Sequence, residues 1–249
     1  TYNLSSSTLL LCSKKIVICY KRGIVYRKKF GVKGMKKAFT LAEVLVTLGI
    51  IGVISAMTVP SLMQNYQRQS YVTQLHKTYT ELSQALVQFQ TDKNAVTLSE
   101  AGLNSQAAFN NLIKNYFRIV QTCEGSLTPC FYSDYKTLNG GTVSFTTGTS
   151  YVLASGASVR FLSSSENSKI ANFGVDINGQ KGPNILGRDL FFLAVYRDGS
   201  IDDYVGAKTP PISKEDREST FTSACKGSGQ VSGWGCFGKI LNDNWEMTY

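Results

Sequence analysis

The apolar pattern predicts an α+β fold in which a long N-terminal helix packs on an antiparallel β-sheet. Three observations carry this. Phe39–Lys93 is a long stretch with apolar residues at helical spacing in its second half, and no Gly or Pro falls between Ser61 and Lys93. Later in the chain the apolar period drops to two, the period of a strand. Turn signals (Asn139-Gly-Gly, Ser155-Gly, Asn178-Gly and Arg197-Asp-Gly) separate those alternating runs. A helix followed by strands joined through tight turns is an α+β arrangement.

Composition narrows the function. The chain has 249 residues, 43% hydrophobic and 17% charged, which excludes a disordered chain and a bundle of membrane helices. The formal charge of +9 is concentrated at one end. Residues 1–38 hold ten Lys and Arg and no acid, so the rest is close to neutral. A near-neutral body argues against nucleic acid as a partner, because electrostatic binding to phosphates needs a basic patch. The single histidine, His76, excludes a Ser-His-Asp set within one chain, and no Gly-x-Ser-x-Gly is present.

In chain order, residues 1–34 contain no periodic helix, and the apolar patch Leu9–Cys12 is too short to span a membrane. We expect Met35 to be the true start and 1–34 to be an upstream extension or a mis-set gene boundary; the alternative is a long basic cytoplasmic leader. Cys12 and Cys19 would lie in a reducing compartment and stay unpaired. Residues 39–59 (FTLAEVLVTLGIIGVISAMTV) form an apolar run with one charge, long enough to cross a hydrocarbon core of ~30 Å. It is too long for a signal-peptide core, and no small-residue cleavage site follows it. The preceding cations hold the N-terminal side in the cytoplasm, which gives an N-in, C-out topology. Glu43 is costly in that run, at ~2.5–3.5 kcal/mol for an acid near the middle of a membrane helix and less near its start. It is either an interfacial acid tolerated near the helix start or a group with a cationic partner.

The segment MKKAFTLAEVLVTLGIIGVISA, residues 35–56, resembles the start of a type IV prepilin or type II secretion pseudopilin. The resemblance implies a basic leader, 35–38, and cleavage between Ala38 and Phe39 by a prepilin peptidase that also N-methylates Phe39. The family usually has Gly before the cut, where this chain has Ala38. The resemblance implies that Glu43 pairs with the free amine of Phe39 on a neighbouring subunit, and that Pro60 loosens the helix where the family often has Pro. It also implies the partners: other pilin or pseudopilin subunits, an inner-membrane assembly platform and membrane lipid. The location follows as the inner membrane, then a periplasmic pseudopilus or a surface pilus. The chain's length leans toward a minor subunit or an ordinary pilin. The second class of function is a membrane-anchored binding module for DNA uptake or surface capture.

Residues 60–93 read as an amphipathic helix. Val72, Leu75, Tyr79, Leu82, Leu86 and Phe89 alternate at spacings of three and four. The stripe covers under three heptads, which favours packing on a sheet over a coiled coil. His76 flanks it as a structural histidine.

Residues 94–249 read as an α+β head. A second helix is expected over 104–119, with strands over 142–146, 150–154, 158–162, 171–177, 190–196 and 201–205. The polar stretch 206–218 reads as an exposed loop. Cys123, Cys130, Cys225 and Cys236 allow three pairings in an oxidising compartment. The local ones, 123–130 and 225–236, are favoured because the short Gly-, Ser- and Pro-bearing segments between them can turn back; a zinc site is the lesser reading. By resemblance, the second pair would tie down a C-terminal loop, as in many pilins.

Three further motifs invite chemistry. Gly233–Lys239 has phosphate-loop spacing, but Ile240 stands where a hydroxyl would hold magnesium, and we take the match as coincidence. Asp198, Asp202 and Asp203 cluster near a hairpin and are expected to be solvated. Asp176, Asn178 and Asp189 lie in a Gly- and Asn-rich segment that looks in part like a calcium loop. Some secretion pseudopilins hold a structural calcium in a sheet loop, so the resemblance allows one here on these three residues; a plain turn is the alternative.

Overall fold

A computed structural model describes residues 39–146 and 148–249, together with the backbone of three strands before them. These are β1 (Cys12–Ser13), β2 (Ile16–Lys21) and β3 (Ile24–Lys28), paired antiparallel in that order. The leader 35–38, Ala38 and the expected start at Met35 lie outside the described residues. The chain divides into two compact units, Thr1–Met57 and Thr58–Tyr249.

Helix α1 runs unbroken over Leu41–Asp92, through Pro60. It ends where Asn94 adopts a left-handed backbone (φ 48°), a common way to stop a helix. In the first unit its apolar side chains are all exposed, and none of the apolar window is buried by protein. In the second unit Val72, Leu75, Thr78, Leu82, Ala85 and Leu86 are buried. Helix α2 (Gln106–Tyr116) starts at Ser105, whose hydroxyl accepts from the Ala108 amide (3.3 Å).

Helix α2 is shorter than the expected 104–119. Ile119 instead opens a strand, β4 (Ile119–Cys123). It is the outer strand of the main sheet and exposes residues 120–122 in succession, so its sequence shows no period of two.

The main sheet is antiparallel, as predicted, with the order β10-β9-β8-β7-β6-β4. Its other strands are β6 (Ser150–Leu153), β7 (Ser158–Glu166), β8 (Lys169–Asp176), β9 (Leu190–Tyr196) and β10 (Ile201–Asp202). Every residue of β9 is buried, which means both faces of the sheet are covered. On one face Phe109 of α2 packs on Phe161, and Phe161 on Phe173 (4.9 and 4.8 Å between rings). On the other, the loop residue Phe145 meets Phe192, and the buried Arg160 guanidinium lies 4.0 Å above Phe145.

Two other expectations need correction. The strand expected over 142–146 is only β5 (Thr142–Val143), and it pairs in parallel with β11 (Gln230–Val231), outside the main sheet. The loop expected over 206–218 contains the start of helix α3 (Lys214–Thr220). Ser213 caps that helix by accepting from the Asp216 amide and donating to its carboxylate (3.1 and 2.8 Å). Ser-x-x-Asp is a capping signal that the prolines before it obscured. A π-helical turn (Phe221–Cys225) and α4 (Cys236–Asn242) complete the chain.

Candidate functional site

Of the predicted assembly residues, Phe39 lies just before α1, Glu43 in its first turn and Pro60 farther along it. Phe39 is 84% exposed, and Leu41, Leu45, Ile50 and Ile54 follow it into solvent. Glu43 does not point away from its own helix. Its Oε2 accepts from the Thr40 amide (2.9 Å) and the Thr40 hydroxyl (3.1 Å), and its amide donates to Thr40 Oγ1 (3.2 Å). This is a capping box, and it explains why a helix starts at Leu41. The signal, Thr-x-x-Glu, was present in the sequence and went unread. Both side-chain bonds fall on Oε2, leaving Oε1 for another donor. Pro60 lies inside α1 and lacks the amide that would have bonded the Ala56 carbonyl.

In the second unit the C-terminal segment is fastened to the sheet at several points. The structure joins Cys123 to Cys130 and Cys225 to Cys236, with Cα atoms 6.1 and 5.1 Å apart. Gly187, at φ 82°, lies against the second bridge, where a Cβ would approach Cys236 Sγ to 3.0 Å. The acids expected to be solvated divide. Asp198 is exposed, whereas Asp202 and Asp203 are buried. Asp202 accepts Nε and Nη2 of Arg217 (2.9 and 2.6 Å), which ties α3 to β10. Asp203 accepts the amides of Tyr204, Gly235 and Gly238 (2.8, 3.0 and 2.6 Å). Burial pushes its carboxyl up to about 6, against the pull of these amides. The phosphate-loop look-alike is thus a ring of amides around the chain's own carboxylate.

Lys169, 3% exposed, adds another fastening. Its ammonium lies 2.8 Å from Glu166 and 3.6 and 5.1 Å from the ring centres of Tyr204 and Trp234.

Asp176, Asn178 and Asp189 fall in one loop region. Asp176 accepts the Tyr135 hydroxyl (2.5 Å) and the Asn178 amide (3.1 Å); Asp189 accepts the amides of Asn184 and Ile185 (2.7 Å each). Burial, helped by the nearby Asp189 charge, raises Asp176 to about 7 and burial raises Asp189 as well. Asn178 Oδ1 and Asn184 Oδ1 are buried with no hydrogen-bond partner. All four carboxylate oxygens thus accept from the protein, while the two amide oxygens are left without a partner. Among the described residues no group of three or more His, Cys, Asp and Glu could hold a metal, so any such site would depend on the amides. Tyr135 and Asn184 were not expected here, since neither lies at a ligand spacing in sequence.

The exposed apolar helix, with its single capped acid, is long and apolar enough to cross a membrane. Residues 33–59 match the family model of the prokaryotic N-terminal methylation motif. The match makes this N-terminal segment similar to the start of a type IV prepilin and covers residues 33–59 alone. No curated protein and no solved structure matches the chain significantly.

Proposed function

We propose that the chain is a structural filament subunit of the type IV pilus class, working in a pilus or in a type II secretion pseudopilus. Prepilin peptidase cuts between Ala38 and Phe39 and methylates Phe39. The subunit then waits in the inner membrane, N-in and C-out, and assembles with its neighbours through α1. The observation that carries this reading is that α1 leaves its apolar first half entirely uncovered, with Glu43 as its one charge and the methylation motif laid over it. In a filament, Oε1 of Glu43 receives the Phe39 amine of the next subunit. Pairing removes two charges that would each be costly alone in an apolar core. The work is mechanical, and the chemistry is done on the chain by the peptidase. By the same reading, Asp176, Asn178 and Asp189 hold a structural calcium that neutralises the two buried carboxylates.

The test is Glu43→Gln. Glutamine keeps the bond to the Thr40 amide, since Gln also serves in a capping box. The helix start is therefore retained and only the charge is lost. The expected result is normal membrane insertion and cleavage, with filament incorporation reduced at least tenfold. Incorporation equal to the parent chain would defeat the pairing.

A further inference from the structure

We draw no further inference here: the strongest candidate, the groove between α1 and the turn from α2 into β4 that Lys77, Gln84, Phe117 and Arg118 line, carries nothing because nothing in the structure shows what covers it.

Discussion

Asp203→Asn tests the fastening of the C-terminal segment. The carboxylate accepts on both oxygens, Oδ1 from Tyr204 and Gly235 and Oδ2 from Gly238 at 2.6 Å. Asparagine can match only one side. Its amide nitrogen would face the Gly238 amide, donor against donor, and leave a buried N–H unpaired. That loss is worth ~3–5 kcal/mol, from a charge-assisted bond and the orphaned donor. The parent residue carries an offsetting cost. Its carboxyl titrates near 6 in the fold against 3.8 in the open chain, so the folded state holds its proton longer. The stability that proton confers is complete below about pH 4 and is lost as pH rises through about 6, some ~3 kcal/mol in all. The Asn variant has no such loss, and every other carboxyl is common to both proteins and cancels. The ~3–5 kcal/mol applies to the ionised carboxyl, so the variant should melt below the parent at both pH values, with a wider gap at pH 4.5 than at pH 7.5. About 2 kcal/mol of that is lost between pH 4.5 and 7.5, so at ~2–4 °C per kcal/mol the gap should narrow by ~4–8 °C across that range. Circular-dichroism melts of the full chain in detergent would measure it. A gap that is flat with pH, or that widens toward pH 7.5, refutes the account of Asp203 as a desolvated carboxyl.

Other outcomes follow from the same segment and its neighbours. Replacing Cys225 and Cys236 together with Ser opens a loop with a sequence separation of 11, and should cost about 3 kcal/mol, with protease cleavage appearing in 226–235 before the rest of the head. Cleavage that begins elsewhere would mean the bridge does not hold this loop. Lys169→Met keeps the buried stem but removes the Glu166 bond and the ring contacts, at an expected ~1–3 kcal/mol, read by melting and by increased solvent access of Trp234 fluorescence. For the proposed calcium, EGTA should lower the melting temperature of the native chain and added calcium restore it, while Asp189→Asn abolishes the response. No response in the native chain would leave Asp176 and Asp189 as a hydrogen-bonded loop without a metal.

The fold class was legible because it depends on periodicity, which survives in a single sequence. The stripe from Val72 to Phe89 and the alternation through β7 and β8 declare themselves without knowledge of partners. An edge strand does not: β4 shows three exposed residues in a row, whereas the apolar run LFFLAVY, followed by an Asp-Gly turn, was legible as a strand over the bounds β9 has. The acids were misread for a related reason. Asp202 and Asp203 follow a turn and look solvated, yet their partners, Arg217, Gly235 and Gly238, lie 15 to 35 residues on. A carboxylate's burial is decided by donors that sequence proximity does not reveal. Thr40–Glu43 is the opposite case, since both partners lie within one helical turn and the pattern was available to be read.

That capping box also bears on why a lone acid is tolerated in α1. Glu43 stands in the first turn of α1, so uncompensated it would cost less than the ~2.5–3.5 kcal/mol of an acid at the middle of a membrane helix. Capping returns ~0.5–2 kcal/mol, because the Thr40 amide and hydroxyl bond the carboxylate. The remainder is left unrelieved in the single subunit, and under the proposed pairing the neighbour's Phe39 amine relieves it in the filament. The two contributions can be separated. Thr40→Val removes both hydroxyl bonds, the one given to the carboxylate and the one taken from the Glu43 amide, but keeps the charge. It should reduce the yield of membrane-inserted subunit while those subunits that insert still enter filaments. Glu43→Gln should do the reverse, sparing insertion and losing incorporation. If the two substitutions impair the same step, measured by membrane flotation and by the filament fraction, then Glu43 serves the helix start alone and contributes no charge to assembly.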